Sequence, residues 1–252
     1  MVSLMIVLEL MNKMNKGNLP LHIAIIPDGN RRWAKKKGLA PWRGHIAGAK
    51  IGVEQSKVAL NFGIYCLSFW GGSWNNLTNR SNVEINALLK LYVSYFRKCI
   101  KNKEIHENNV KVNVIGRWKE LLSKSGIETA EELMRVTKNY DKRLLNFFIG
   151  YNGTDEMVAA VKGIVKEARV NKNLKVTPEL LEKHLWTHDL PPVDLLIRTG
   201  INNDPHNSVG FMMWHTSNSQ YYFTNTMYPD FGKKEFTKAI KEYQKRERRL
   251  GK

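Results

Sequence analysis

Cysteine is nearly absent. Cys66 and Cys99 are the two in 252 residues, both in apolar segments and neither at metal-ligand spacing, so a disulfide framework and a thiolate metal cage are both excluded. Buried thiols in a reducing cytoplasm are the plain reading. Long apolar runs are missing too. The run near the N-terminus, in MVSLMIVLELMNKMNKGN, spans about ten residues, too short for a bilayer, and it lacks the basic flank and small-residue cleavage site of a signal peptide. Residues 1–19 therefore read as an extension, a short helix or disordered, that packs on the domain or lies on a membrane surface. There is no GxxxxGK[ST] phosphate loop and no HExxH zinc motif. Acidic residues are scarce: 23 Asp plus Glu against 40 Lys plus Arg give a formal charge of +17, which points to an anionic partner. Nucleic acid, an acidic membrane and a phosphorylated substrate all satisfy that condition.

What is present reads as one large α/β domain over residues 20–252, with no repeat or low-complexity linker to divide it. Short apolar runs predict six strands: His22 to Ile26, Ile64 to Trp70, Val110 to Ile115, Leu144 to Ile149, Leu195 to Arg198 and Gln220 to Phe223. Helical spacing predicts helices over residues 44–62, 82–105, 122–137, 157–170, 178–186 and 234–249. Strands alternating with helices imply a mainly parallel sheet flanked by helices, with right-handed crossovers.

The stretch from His22 to Lys50, HIAIIPDGNRRWAKKKGLAPWRGHIAGAK, organises the chain. A buried strand stops at Pro27, Asp28, Gly29 and Asn30, a turn in which Pro fixes φ, Gly tolerates positive φ, and Asp and Asn bond nearby amides. Arg31, Arg32 and Lys35 to Lys37 follow at once. One carboxylate is thereby delivered into amides and cations at a strand end, where open α/β sheets bind ligands. Such a group suits a diphosphate, with Asp28 holding a Mg²⁺ that bridges to it. An Asx turn before a solvated basic helix satisfies the same spacing. His45, by itself, reads as a helix N-terminal residue.

DGNRRWA, then Gly44-His45 and AGAK at Ala47 to Lys50, resembles the signature of the cis-prenyltransferases, the undecaprenyl diphosphate synthase family. VDLLIRTG at Val193 to Gly200, MYPDF at Met227 to Phe231 and RERRLG at Arg246 to Gly251 follow in the family's order, so the resemblance covers residues 20–252. The paired aspartate-rich motif of trans-prenyl synthases is missing. The resemblance implies a Mg²⁺-dependent transferase that condenses isopentenyl diphosphate with an allylic prenyl diphosphate to make a polyprenyl diphosphate. It also implies a hydrophobic product tunnel, beside which Gly71 and Gly72 remove bulk. Asp28 would support Mg²⁺ and ionisation of the allylic diphosphate, Gly29, Asn30, Arg31, Arg32 and Trp33 would bind that substrate, and His45 would share the site.

The loop Ser73 to Ser81 resembles the family's Ser-x-Glu-Asn segment, with Asn75 at the usual Glu and Asn76 at the Asn assigned to proton handling. An amide is a poor base, so Asn76 would act through water or the released diphosphate. Arg80 sits one place beyond the usual Arg, and Arg43 stands near the place of an Arg that falls at Pro41. Arg198-Thr199-Gly200 matches the isopentenyl diphosphate site. There His206 and Ser208 take the places of an Arg-x-Ser pair, and Gln220 takes that of a Mg²⁺-binding Glu. Arg249 and Gly251 match an ending that reaches the neighbouring subunit of a homodimer. The departures leave open a variant with altered acceptor or condensation geometry, or a subunit of a heteromer. A cytoplasmic location follows, with peripheral membrane contact open. Nucleic-acid binding is disfavoured because the basic stretches Lys35 to Lys37 and Lys241 to Arg249 lack interleaved aromatics.

Overall fold

The computed structural model of the protein describes residues 18–247. In chain order, β1 (His22–Ile26) is followed by α1 (Asn30–Lys36), α2 (Pro41–Phe62), β2 (Cys66–Gly72), α3 (Trp74–Thr78), α4 (Asn82–Ile100), α5 (Lys103–Glu107) and β3 (Val110–Ile115). Then come α6 (Lys124–Thr137), β4 (Arg143–Ile149), α7 (Gly153–Val170), α8 (Pro178–Lys183), β5 (Leu195–Arg198), β6 (Gln220–Phe223) and α9 (Lys233–Gln244). The six strands form one sheet in the order β3-β4-β2-β1-β5-β6, and every neighbouring pair is parallel.

Parallel strands need crossovers, which cover both faces, so the inner strands read as continuous apolar runs. All five residues of β1 are buried. Ile23 and Ile25 join the core on one face, with Phe69, Phe96 and Phe236; Ala24 and Ile26 join the other, with Trp70, Phe148 and Phe211. A polar row crosses four strands inside the second layer. His22 bonds Pro191 O and Ser68 Oγ at 2.8 Å each, Asn146 Nδ2 donates to Ser68 Oγ at 3.0 Å, and Asn113 Nδ2 donates to Asn146 Oδ1 at 2.8 Å. Burial lowers the His22 pKa to about 4, so the ring is neutral in that row.

The helix expected over residues 82–105 is two helices. Asn102 interrupts it: its side chain accepts from Glu104 N and starts α5 anew, because an Asn cap competes with a continuing helix. The polar stretch after β2, expected as a loop, contains α3, capped by Ser73 Oγ accepting from Asn76 N at 3.0 Å. Cys66 is buried and Cys99 half-buried, and burial pushes the Cys99 thiol up to about 11. Among the described residues no helix is long and apolar enough to cross a membrane. The expectations placed on residues 1–17 and on Arg249 and Gly251 lie outside the described residues.

Candidate active site

β1 and β5 are parallel neighbours with Ile26 opposite Arg198, so their C-terminal ends emerge together. From there the sheet continues to β2 on one side and to β6 on the other, a topological switch point of the kind where open α/β sheets hold ligands. Asp28 stands in this crevice. Its Oδ2 accepts from Arg198 Nη2 at 3.1 Å, and its Oδ1 from Arg32 Nη2 at 3.2 Å and from Gly29 N at 2.5 Å. Arg32 also donates to Gly200 O, and Arg198 Nη1 donates to His206 O at 2.7 Å. The Asp28 side chain is 36% exposed and that of Arg198 is 9% exposed, so the carboxylate faces the crevice over a cation fixed beneath it. Two guanidinium groups against one carboxylate leave the local charge positive, which suits a polyanion.

The backbone around Asp28 is fixed by the other motifs. Asp28 O accepts from Thr199 Oγ1 at 2.8 Å and from Tyr228 N at 3.0 Å, joining DGN to RTG and to MYPDF. Gly29, at φ 97°, caps α1 in a conformation that an L side chain rarely adopts. Gly44 and Gly48 let α2 approach α1: a Cβ at Gly44 would stand 2.0 Å from Asn30 O, and one at Gly48 2.3 Å from Asn30 Oδ1. Asn30 is buried in that contact, with its Nδ2 donating to Pro27 O at 2.8 Å.

A second cluster lies beside the first. Arg31 Nε and Arg80 Nη1 each stand 3.3 Å from Glu84 Oε1, His45 Nε2 stands 3.4 Å from the same oxygen, and Arg80 Nη1 is 3.5 Å from His45 Nε2. Burial, then the charges of Arg80 and Arg31, lower the His45 pKa to about 4, so His45 is a neutral imidazole near pH 7.

From these two clusters a cavity of about 530 Å³ extends into the domain. Asp28, Arg31, Arg32, His45, Asn76, Arg80 and Ser208 line its polar end, while Leu67, Phe69, Leu88, Tyr92 and Phe96 line its body. It reaches Val110 and Arg143, the first residues of β3 and β4. Ile149, at the other end of β4, lines it too, and the seven residues of that strand span about 20 Å at ~3.3 Å per residue.

The prenyltransferase family model described as undecaprenyl diphosphate synthase matches residues 26–251. The chain belongs to that family. It is 42% identical over 245 residues to the geranylgeranyl-diphosphate-specific tritrans,polycis-undecaprenyl-diphosphate synthase of Pyrococcus abyssi, covering 96% of this chain and 90% of the relative. It is 39% identical to the isoprenyl transferase of Clostridium tetani, over 93% of this chain and 90% of the relative. Among solved structures, lavandulyl diphosphate synthase from Lavandula x intermedia, in complex with dimethylallyl diphosphate, superposes with a TM-score of 0.85 at 26% identity, covering 93% of this chain and 99% of that one. The protein is therefore a cis-prenyltransferase.

In this cis-prenyltransferase the motif residues do not all share one surface. Gly29, Asn30, Arg31, Arg32, His45, Asn76, Arg80 and Ser208 line the cavity, and Arg198 underlies Asp28. Trp33, Arg43, Ser73, Asn75 and His206 are not among its lining residues. Trp33 Nε1 donates to Asp230 Oδ1 at 2.7 Å and pins α1 to the MYPDF turn; Ser73 caps α3; Arg43 and Asn75 are exposed. The His206 ring lies 3.2 Å from Asp204, while its carbonyl holds Arg198. Gln220 starts β6 opposite Leu195, three residues below the level of Arg198, and its Oε1 accepts from Arg246 Nη1 at 3.4 Å. Glu84 is a site residue that motif reading does not single out. Its sequence signal is Ser81-x-x-Glu84, which reads as a helix-capping box.

Proposed function

We propose that Asp28, Arg32, Arg198 and the Arg31–His45–Arg80 cluster bind the diphosphates of an allylic starter and of isopentenyl diphosphate, and that the growing prenyl chain occupies the apolar cavity. The observation that carries this reading is the half-buried Asp28 carboxylate between two guanidinium groups at the polar end of a cavity of about 530 Å³ with an apolar lining. Among the described residues no three His, Cys, Asp or Glu side chains converge into a metal cage. One carboxylate beside a phosphate-binding cluster nevertheless fits Mg²⁺, which is commonly held by one or two carboxylates together with substrate phosphates and water. Asp28 would be its protein ligand, and when bound the ion supplies charge neutralisation of the departing diphosphate. Arg32 and Arg198 orient Asp28 and balance the phosphate charge, while the apolar walls keep water from the allylic carbon. His45, neutral and held between Arg80 and Glu84, contributes a dipole rather than a charge. Asn76, which lines the cavity, would relay a proton through water or the released diphosphate.

The starter proposed is geranylgeranyl diphosphate, because relatives named as specific for it align over nearly the whole chain. A homodimer is part of the same reading. Val158, Val161 and Val165 form an exposed apolar stripe on α7, at 53%, 51% and 48% exposure, which a subunit contact would cover in part. The proposed location is cytoplasmic, with the lipid product bringing the enzyme to the membrane surface. The test is incubation with labelled isopentenyl diphosphate, Mg²⁺ and a panel of starters. Polyprenyl products formed most efficiently from geranylgeranyl diphosphate are expected. Turnover confined to one condensation, or to a different acceptor, favours the altered-acceptor reading, which is motivated by His206 and Gln220 in place of an Arg and a Glu.

A further inference from the structure

One carboxylate oxygen in the site has three nitrogen neighbours. Glu84 Oε1 lies 3.3 Å from Arg31 Nε, 3.3 Å from Arg80 Nη1 and 3.4 Å from His45 Nε2, and the Glu84 side chain is only 3% exposed. Glu84 is the third residue of α4, and its backbone N donates to Ser81 Oγ at 3.3 Å, half of a capping box. The other half of that motif would turn the carboxylate back to Ser81 N. Here it turns instead toward α1 and α2, so helix capping does not account for where the charge points.

We infer that Glu84 is a positioning residue that sets the poses of Arg31, Arg80 and His45 for a diphosphate. A buried carboxylate is costly unless paired, and each of the three partners comes from a different stretch of chain, so their positions are coupled through it. The partners are not equivalent. The Arg80 side chain is 19% exposed and stays on Glu84, whereas that of Arg31 is 56% exposed and is free to swing to a phosphate at the polar end of the cavity. His45 Nε2 stands 3.4 Å from Glu84 Oε1 and 3.5 Å from Arg80 Nη1, so the neutral ring either donates to the carboxylate or accepts from the guanidinium according to its tautomer, and Glu84 holds it directly in the first case and through Arg80 in the second. Glu84 thus holds one guanidinium and one imidazole and hands over a second guanidinium.

This inference rests on the diphosphate reading of the site, and the test separates the two. Binding of magnesium pyrophosphate is measured by calorimetry for the intact protein and for Arg31→Ala, Arg80→Ala, Glu84→Gln and the double variant Arg80→Ala/Glu84→Gln, with thermal melting in parallel. Glu84→Gln keeps the shape and the Ser81 cap but removes the charge. The expected result is a rise in Kd of at least about tenfold in Glu84→Gln, with the double variant no weaker than Arg80→Ala alone within about threefold, the non-additivity of residues that act as a unit. Glu84→Asp, too short to span the three partners, is expected not to restore binding. A Glu84→Gln variant that melts lower yet binds pyrophosphate normally makes Glu84 a helix-cap residue and overturns the inference. So does tighter binding, which would make Glu84 a competitor of the ligand, or losses that multiply in the double variant. If Arg31→Ala and Arg80→Ala themselves leave binding unchanged, the diphosphate reading of this cluster fails and the inference falls with it.

Discussion

Arg198 and Asp28, 170 residues apart in the chain, meet at 3.1 Å, and that pair ties the end of β5 to the turn after β1. Replacing Asp28 by Ala removes both the proposed Mg²⁺ ligand and the counter-ion of a buried guanidinium. Activity is predicted to fall by about 10²–10³ or more, the scale of losing one preorganised electrostatic group. Stability is predicted to drop by about 1–3 kcal/mol, because Arg198 is left buried without its anion. Initial rates and urea melts with unchanged circular dichroism check both. Near-normal turnover would reduce Asp28 to a turn residue.

Much of this geometry is visible in the sequence because it depends on strand ends. An apolar run that stops at a Pro-Asp-Gly turn locates Asp28, and a four-residue run ending in Arg198 locates its partner. That they are adjacent follows only from the strand order. Side-chain direction is the part that spacing does not carry. Trp33 lies among the motif cations yet points to Asp230, Arg43 lies next to Gly44 yet is exposed, and Gln220 begins a strand whose other end is the site. Glu84 is the converse case, a capping-box residue by sequence whose carboxylate faces the cations. The break at Asn102 was hidden because apolar spacing continues to Ile105 while one side-chain cap ends the helix.

Gly44→Ala tests the packing of α1 on α2. The added Cβ would meet Asn30 O at 2.0 Å, a backbone atom that cannot turn aside, so the helices must separate. Overpacking of this kind costs about 1–3 kcal/mol, and moving Asn30 also shifts the turn that carries Asp28. Denaturant melts together with pyrophosphate affinity read the two effects. Wild-type values in both would show that α1 and α2 are less closely packed than the contact requires.

Acid is predicted to destabilise the fold through His22 and His215. Burial lowers both pKa values to about 4, and in His215 the charge of His22 adds to the effect. Between the unfolded value near 6.5 and about 4, the unfolded chain binds protons that the folded chain refuses. Stability is therefore full above pH 6.5 and is lost as pH falls, at up to about 1.4 kcal/mol per pH unit for each histidine. Urea melts at pH 7.5 and 5.5 are expected to differ by about 1–3 kcal/mol for the pair, to which His45, its pKa likewise lowered to about 4, adds up to about 1.4 kcal/mol. Equal midpoints would mean that the buried rings already carry their protons in the folded state.

The proposed isopentenyl half of the site separates two substitutions that the family resemblance treats together. Gln220 lies three residues, about 10 Å at ~3.3 Å per residue, below Arg198 in the sheet and faces Arg246. Gln220→Glu is therefore predicted to make a local ion pair worth less than about 1 kcal/mol and to leave the KM for isopentenyl diphosphate unchanged. His206 differs, because its carbonyl already holds Arg198 Nη1 at 2.7 Å and its ring is 48% exposed beside Asp204. An Arg there adds a permanent cation within reach of the Asp28 crevice. One charge-assisted contact is worth about 1.5–3 kcal/mol, so His206→Arg is predicted to lower that KM roughly ten- to hundredfold. Steady-state kinetics of the two single variants and the double variant decide the matter. If Gln220→Glu alone lowers KM, the residue acts on a site other than the one its own chain forms, and the place to look is the crevice of a second subunit.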